Sequence, residues 1–521
     1  MNHVVTPYCG PIEQTLPRLL SLFDKDRSSR SYGLGDRFYW AWGLTDFPNG
    51  TFQGCAHGLA RLWRQGQWPY ATGRDTFLQR LDAMFVGAAG CTRADGSLEE
   101  AFPNEGSFCV TALVAYDLLQ AIDLIDEVPE QTRQRWLTSV EPMIRYLINS
   151  DETHAFISNH LATAVAALNR WHRETGDDAA ENRARVLLDK ILDHQSAEGW
   201  FEEYGGADPG YETLCWHYLS DVHLLRPDWK LLEPLRRSAQ FLWHFAHPDG
   251  SFSGLYGSRC TRFYYPSGIL ALAPEIPEAH ALSTFMASSI STQRVVTLAS
   301  MDEPNLIPMF NSYCRAKQLA STQSLPSMPL TVPSLGTEPK RKFFSSAGLL
   351  VDRGPRHYTV ISTHKGGLFS HFPTDGRPIH DAGVVARRAN GTLGSTQTLV
   401  SGNTAEIQDD KVIVQSDFHE MPKRLPGPMG FLALRILCLT VFRFATIREF
   451  VKQILAKWVI TRVKVWPASN QRTIKLGADL HVSDAPSLPR GYEIAEDIGD
   501  FVSIHMASQG YWQLQDEEET G

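Results

Sequence analysis

The segment from Gly199 to Leu219 (GWFEEYGGADPGYETLCWHYL) concentrates side chains that can exchange protons. Its glycines and proline predict a loop, and the apolar run that follows predicts a helix. The loop carries the carboxylates of Glu202 and Glu203 and the phenols of Tyr204 and Tyr211. Because rigid scaffolds display catalytic side chains on such loops, this segment is the first candidate site. The alternative interpretation is a tyrosine-rich packing loop between two helices.

A second polar pair, Asn159-His160, stands just before an apolar helical pattern that begins near Leu161. It places an amide beside an imidazole, and adjacent residues at a helix start need not share a helical face. Tyr211 lies 51 residues after His160, which matters if the chain repeats at that length. The structural alternatives are a helix-capping Asn159, a hydrogen-bonded His160 and a packed Tyr211.

Three similar turns, each an acidic residue followed by glycine, interrupt a helical pattern from about residue 52 to about residue 300. They are Asp95-Gly96-Ser97-Leu98, Glu198-Gly199-Trp200-Phe201 and Asp249-Gly250-Ser251-Phe252. The acidic positions are 103 and then 51 residues apart, which predicts a helical hairpin of roughly fifty residues as the repeating unit. Stacked hairpins form a solenoid or a toroid. We predict an incomplete toroid whose turns share one rim, so that His160 and Tyr211 are one repeat apart on that rim.

The composition limits the classes of partner. The chain has 521 residues, 43% of them hydrophobic, which is enough for two to four domains with large cores. Its net charge of -9 argues against a nucleic-acid partner. The eight cysteines are scattered without a CxxC pair, so we expect free thiols and no structural zinc.

The pattern changes near residue 320. Residues 321–342 belong to a Ser-, Thr- and Pro-rich stretch without hydrophobic periodicity, which is typical of a linker. Residues 1–320 are predicted to form the (α/α) toroid. Short alternating segments in residues 343–521 predict an antiparallel β-sandwich with a helical insertion near 428–464. The expected fold class is therefore multidomain, α then β.

The N-terminus lacks a basic region followed by an apolar core, so a cytoplasmic location is expected, with a periplasmic or envelope location as the alternative. No run of eighteen uncharged apolar residues occurs, which argues against a spanning helix. The segment from Phe431 to Lys464 is basic and amphipathic. Its burial against the rest of the protein is favoured, and peripheral membrane contact is the alternative.

Five short stretches carry a family resemblance: Ser31–Phe52, Asp95–Ser107, Ser158–His160, Tyr204–Tyr218 and Gly257–Thr261. Through them the chain resembles the heparinase II/III-like and alginate-lyase-like polysaccharide lyases, in particular relatives found near bacterial envelope-polysaccharide genes. The resemblance spans nearly the whole chain. It implies a helical toroid followed by a β-sandwich, and cleavage of an acidic, uronate-containing polysaccharide by β-elimination.

Such an elimination neutralises the uronate carboxylate, removes the neighbouring proton and protonates the departing sugar oxygen at C4. The resemblance implies that Asn159 binds the carboxylate while His160 and Tyr211 share the proton transfers. Arg259 is a candidate second clamp, because guanidinium binds carboxylate in a bidentate manner. An arginine that only fixes its own loop is the alternative.

The remaining candidates are substrate-binding residues. Asp36, Arg37 and Trp40 resemble a cleft wall in which Trp40 would stack on sugar faces, unless it is buried in the core. Lys365 and His380 stand where the relatives carry polar strand residues that face the toroid. The complete predicted substrate-binding set is Asp36, Arg37, Trp40, Glu105, Glu203, Tyr204, Lys365 and His380.

Two other function classes remain open. A toroid glycoside hydrolase needs two carboxylates about 5–10 Å apart. Its candidates on the rim turns are Glu99, Glu100, Glu105, Glu202, Glu203 and Asp208. A non-catalytic glycan-binding factor in envelope or exopolysaccharide biosynthesis is the third class. The oligomeric state is left open.

A metal site in the second domain is the less favoured interpretation of His364, His371, His380 and Asp381. Their spacings of 7, 9 and 1 match no tight ligand motif. The His-Gly-His pattern of the family is also absent, because His364 is followed by Lys365. We therefore expect no cofactor, with zinc or calcium in the β domain as the alternative.

Overall fold

The computed structural model describes residues 6–126, 128–153, 155–323, 325, 329–421, 427–444, 446–448, 450–451, 464–496 and 498. Helices fill the first part of the chain. The described α-helices are α1 Cys9–Ser21, α2 Arg37–Trp40, α3 Cys55–Arg64, α4 Arg74–Cys91, α5 Phe108–Leu124, α6 Glu130–Asn149, α7 Ser158–Thr175, α8 Asp178–Asp193, α9 Pro209–Leu225, α10 Leu232–Leu242, α11 Pro266–Ala271, α12 Pro277–Ser291, α13 Glu303–Thr322 and α14 Pro428–Leu439. Short 3-10 helices lie at Gly50–Gly54, Pro227–Trp229, Trp243–Phe245, Leu298–Ser300, Pro333–Leu335, Thr363–Lys365 and Val441–Arg443.

Six of the described helices, α3, α5, α7, α9, α11 and α13, form an inner ring in which each packs against the next. Helix α5 is apolar on nearly all sides and buries 14 of its 17 residues, as a helix enclosed by neighbours requires. The intervening helices form the outer layer. Helix α8 is an example, because it buries one stripe of five residues and exposes its charged face. The predicted helical toroid is confirmed.

The expectation of an incomplete toroid is wrong, because α13 packs directly against α3 and closes the ring. The backbone N–H of Gly58 donates to Asn311 Oδ1 at 3.0 Å, and Asn311 Nδ2 donates to the Gly54 carbonyl at 2.9 Å. A Cβ atom on Gly58 would lie 2.4 Å from the Phe310 ring, so this contact needs glycine.

The three acidic–glycine turns have one common geometry. In each turn, the glycine N–H donates to the carbonyl of the residue three positions before the glycine. The N–H of that same earlier residue donates to the carbonyl of the residue that follows the glycine. The glycines have φ angles of 88°, 104° and 94°, which favour glycine over other residues. Each turn connects an outer helix to the next inner helix. The turns therefore share the rim where the inner helices begin.

The second domain is an antiparallel β-sandwich. Its strands are β1 Lys340–Phe344, β2 Leu349–Gly354, β3 His357–Ser362, β4 Leu368–Pro373, β5 Ile379–Asp381, β6 Val385–Arg388, β7 Leu393–Ser395, β8 Thr404–Ile407, β9 Lys411–Glu420, β10 Val465–Lys475, β11 His481–Ser487 and β12 Tyr492–Ile494. One sheet has the order β1-β2-β3-β4-β5. The other has the order β11-β10-β9-β7-β6-β12, and β8 pairs with β9.

The five-stranded sheet is covered on both faces. Leu350, Ile361 and Phe369 pack against the second sheet. The alternate residues Leu349, Val351, Tyr358, Val360, Leu368 and Phe372 join the core of the toroid. This follows from the period of two along a strand, which sends successive side chains to opposite faces. Toroid and sandwich therefore share one hydrophobic core.

The helical insertion departs from expectation. Helix α14 packs against the toroid rim, where Asn104 Nδ2 donates to the Cys438 carbonyl at 3.0 Å. The favoured burial of its apolar face is wrong, since Phe431 and Leu432 are 50% and 52% exposed. Residues 452–463 of the insertion lie outside the described part. Among the described helices, none is both long and apolar enough to cross a bilayer.

Replacing Gly58 by alanine should lower the free energy of unfolding by about 1–3 kcal/mol, because the new methyl group is forced into the α3–α13 contact. Gly90 is the matched control, since no atom lies within 4 Å of a Cβ placed there. Gly90→Ala should stabilise the chain by about 0.5–1 kcal/mol. Urea unfolding measures both changes, and equal stability of the two variants would contradict the closed ring.

Candidate active site

The candidate site lies where α7 and α9 begin, on loops that pair with each other. Tyr204 N–H donates to the Phe156 carbonyl at 3.1 Å, and Ser158 N–H donates to the Glu202 carbonyl at 3.1 Å. Tyr204 has a φ of 54°, a left-handed conformation that is uncommon for a non-glycine residue and often marks functional sites. The loop with the two carboxylates is thus held against the helix start that carries Asn159.

Asn159 lies beneath the rim. It is 2% exposed and its Nδ2 donates to Glu203 Oε1 at 2.6 Å. It does not cap α7, because it lies inside the helix and Ile157 occupies the N-cap position. Burial and the neighbouring Asp208 raise the pKa of Glu203 well above its usual range, against the opposing effects of Arg259 and Asn159. The contact of Asn159 with a substrate carboxylate stays a prediction. The second N–H of its amide would be the donor to that carboxylate, because the first donates to Glu203.

His160 forms a pair with a buried carboxylate. Its Nδ1 lies 2.7 Å from Glu152 Oε2, and the two side chains are 19% and 4% exposed. A carboxylate at Nδ1 holds the proton there and fixes the ring, so Nε2 carries the lone pair of the neutral imidazole. Glu152 was missed by sequence reasoning. The only signal was an acidic residue in the loop that leads into α7.

Tyr211 lies in the first turn of α9, where its backbone N–H donates to Asp208 Oδ1 at 3.0 Å. Its ring meets Phe263 edge-on, with centroids 5.1 Å apart. Burial raises the pKa of Tyr211 well above its usual range, although the charge of Arg259 acts in the opposite direction. The phenol therefore holds its proton at neutral pH and can act as a donor.

Arg259 approaches the same place from the loop before α11. Its backbone N–H donates to Asp208 Oδ2 at 2.9 Å, and its guanidinium carbon lies 3.9 Å from the centre of the Tyr204 ring. Its Nε atom is buried and has no hydrogen-bond partner. A buried cationic donor without an acceptor is costly, so this guanidinium is prepared for an anionic ligand.

Lys365 reaches the site only through that loop. Its Nζ donates to the Gly257 carbonyl at 3.0 Å and lies 2.9 Å from Cys260 Sγ. The side chain is 2% exposed. The ammonium therefore binds the loop that carries Arg259, and a contact of Lys365 with substrate stays a prediction.

Asp36 and Trp40 also serve their own loop. Asp36 caps α2 and its Oδ2 accepts from the backbone N–H of Asn49 at 2.8 Å. The Trp40 indole N–H donates to the Leu22 carbonyl at 2.7 Å, and the half-buried ring packs against the core. Arg37 is exposed. Asp36 and Trp40 thus have local contacts that fix their own segment, and the predicted cleft wall stays a prediction.

Glu105 and His380 have local partners as well. Glu105 Oε2 accepts from the backbone N–H of Ala101 at 2.7 Å and so folds its own loop. His380 Nδ1 lies 3.0 Å from Ser370 Oγ. Burial and the charge of Arg262 lower the pKa of His380 to about 4.

Arg259 links the predicted residues of this group: its guanidinium lies over the Tyr204 ring, and its charge acts to lower the pKa of Glu203, Tyr204 and Tyr211. Asn159 is linked to this group by its hydrogen bond to Glu203. His160 is hydrogen-bonded to Glu152, and the charge of Glu152 acts to raise the pKa of Tyr204.

Two side chains of the less favoured metal interpretation have other partners. His371 Nδ1 lies 2.8 Å from Thr359 Oγ1, and Asp381 Oδ1 pairs with Arg472 at 2.5 Å. Within the described ranges, one group of metal-ligand type does come together: His172, Asp178 and Glu181. It lies at the end of α7 opposite the candidate site, and Glu181 already pairs with Arg226. Zinc or calcium in the β domain stays untested.

The sequence matches no protein-family model and no curated protein sequence. Solved structures with similar architecture include a chondroitin AC lyase from Streptomyces coelicolor A3, 13% identical, with a TM-score of 0.48 over 81% of this chain and 68% of that one. Heparinase III is 10% identical with a TM-score of 0.43 over 92% and 77%, respectively. A heparan sulfate lyase from Pedobacter heparinus is 11% identical with a TM-score of 0.45 over 92% and 69%.

Heparinase III and a heparan sulfate lyase are thus among the structural neighbours, as the sequence resemblance predicted. Other neighbours cover 60% of the chain: a cellobiose 2-epimerase from Bacillus thermoamylovorans and a glycoside hydrolase family 76 mannosidase from Bacteroides thetaiotaomicron. At these identities and TM-scores the similarity does not specify a reaction.

The pH dependence of stability tests the electrostatics of the site. A raised pKa means that folded Glu203 keeps its proton where the unfolded chain, with a value near 4.5, has lost it. The stability that Glu203 contributes to the folded chain is fully present below that unfolded value and is lost as the pH rises. The free energy of unfolding, measured in urea, should therefore fall less between pH 5 and pH 8 for Glu203→Gln than for the unchanged chain.

Glu198→Gln is the control of opposite sign. Burial pushes the pKa of Glu198 upward, but hydrogen bonds from Ser346 and Ala347 outweigh burial and hold it below 4.5. The stability that Glu198 contributes is present above pH 4.5 and is lost as the pH falls below it, so this variant should be destabilised about equally at pH 5 and pH 8, and less below pH 4. If both variants shift the profile in the same direction, the assignment for Glu203 is wrong.

Proposed function

We propose that this chain is a polysaccharide lyase that cleaves an acidic, uronate-containing glycan by β-elimination at the rim of its toroid. The observation that carries the proposal is the buried, unpaired Nε of Arg259 beside the protonated phenol of Tyr211. A uronate carboxylate is planar and anionic, and it would supply the acceptors that this guanidinium lacks. The same charge would stabilise the enolate that forms when the neighbouring proton leaves.

His160 is the proposed base. With its Nδ1 bonded to Glu152, the Nε2 lone pair is the one that can take the proton next to the uronate carboxylate. Glu152 then stabilises the imidazolium that results, as an orienting carboxylate does in catalytic triads. The electrons of the broken C–H bond form the new double bond as the C4–O bond breaks.

Tyr211 is the proposed acid. The departing O4 needs a proton, and a phenol kept neutral by burial can supply it. Tyr204 holds the Arg259 guanidinium over its ring and so sets where the carboxylate binds. Asn159 and Glu203 would support the clamp from below.

Incubation with a panel of acidic polysaccharides tests this proposal. Elimination creates a double bond conjugated with the carboxylate, so the products should absorb ultraviolet light. Hydrolysis releases reducing ends without that absorbance. Products that lack the absorbance on every substrate cleaved would exclude a lyase.

A hydrolase is the second candidate, and one observation favours it. Glu203 is a buried carboxyl whose pKa is raised well above its usual range by desolvation, and a raised pKa is what a glycosidase general acid requires. Glu203→Gln separates the two reactions. It should abolish hydrolysis, whereas elimination by His160 and Tyr211 should survive. Glycan binding without either product would instead indicate a non-catalytic binding factor.

Tyr211→Phe should lower the rate of elimination by roughly two to four orders of magnitude with little loss of stability, because it removes one oxygen and keeps the ring. Tyr264→Phe is the matched control, since the Tyr264 hydroxyl is buried without a hydrogen-bond partner. It should leave turnover unchanged. Initial rates and thermal unfolding of both variants provide the measurement, and full activity of Tyr211→Phe would remove the proposed acid.

A further inference from the structure

Exposed apolar side chains are concentrated in one region of the surface. Of the 21 large apolar residues that are exposed in the described part of the chain, 13 lie on the segments 38–44, 102 and 429–450. The most exposed of those 13 are Met429 at 76%, Leu44 at 68%, Phe444 at 66%, Trp42 at 64% and Phe450 at 63%. Monomeric proteins rarely expose so many large apolar groups in one place unless that place binds something.

The three segments adjoin one another. Arg435 of α14 pairs with Asp46 at 2.6 Å, and Arg448 pairs with Asp95 at 3.3 Å. Asn104 holds the Cys438 carbonyl. The described part of the insertion thus turns Arg435 and Arg448 toward the rim loops and most of its large apolar side chains outward. We name this surface, formed by residues 38–44 and 102 and the described residues of 429–450, the rim patch.

The insertion that contributes α14 to the rim patch is basic in sequence, whereas the whole chain is acidic. The insertion from residue 428 to residue 464 contains seven basic residues and one acidic residue, in a chain of net charge -9. Arg435 and Arg448 neutralise carboxylates of the rim, whereas Arg443 and Arg37 are exposed. Aromatic and leucine side chains with arginines at their border are typical of a surface that lies in a lipid interface.

We propose that the rim patch docks on the surface of an anionic lipid membrane, with α14 in the plane of the interface. In a two-fold dimer the same cationic insertion would face its own copy, so charge disfavours a second chain as the occupant. The segments 38–44 and 102 precede the inner helices α3 and α5, and therefore belong to the rim that carries Tyr211 and Arg259. Docking would bring the candidate site to the lipid surface.

Vesicle co-sedimentation of the full chain tests this proposal without any glycan. The chain should bind phosphatidylcholine vesicles that contain phosphatidylglycerol, bind pure phosphatidylcholine weakly, and lose binding as salt rises. The double variant Phe431→Ser with Leu432→Ser should bind at least about tenfold more weakly. The matched control is Val186→Ser with Leu224→Ser, at positions 48% and 51% exposed on helices α8 and α9, which should bind like the unchanged chain.

A milder variant guards against misfolding. Arg443→Glu changes one exposed charge and should also weaken binding to anionic vesicles, with circular dichroism unchanged. Absence of binding to anionic vesicles would overturn the proposal. So would equal, salt-insensitive binding to both kinds of vesicle. A dimer in light scattering that the Phe431→Ser, Leu432→Ser variant dissociates, without vesicle binding, would show that a second copy covers the patch.

Discussion

The carboxylate of Asp208 is the contact on which the candidate site depends. One of its oxygens accepts from the backbone N–H of Tyr211 and the hydroxyl of Thr261, and the other accepts from the backbone N–H of Arg259. A single buried side chain therefore fixes the start of α9 and the loop before α11 in one geometry. The approach is close, because a Cβ atom on Gly257 would lie 2.6 Å from an Asp208 oxygen.

The sandwich domain reinforces that geometry from outside the toroid. Lys365 enters the loop that carries Arg259, and Glu198, in one of the three repeated turns, accepts from the backbone N–H groups of Ser346 and Ala347. Both contacts follow from the burial of the five-stranded sheet against the helices. A rigid rim keeps side chains preorganised, and preorganisation is the main source of electrostatic stabilisation in enzymes.

Burial also sets the charge state of the site. Desolvation raises the pKa of Glu203 and Tyr211, while Arg259 acts against both shifts. The result is one cation among acids whose neutral forms are favoured by burial, an arrangement that would suit a substrate carboxylate. At the start of α7, the imidazole of His160 is hydrogen-bonded to the carboxylate of Glu152.

Sequence alone determined the features that depend on neighbours along the chain. The repeated turns at Gly96, Gly199 and Gly250, the strands near Leu349 and Tyr358, and the helix start at Pro209 are all local patterns, and the structure has each of them. Only the tertiary structure decided which groups meet. Closure of the ring brings Gly58 into hydrogen-bond contact with Asn311. The loop before α7 brings Glu152 to His160. Neither contact is encoded in the periodicity of the sequence. The burial of Asn159 and Lys365 and the exposure of α14 were decided in the same way, because the surroundings of a side chain depend on distant segments.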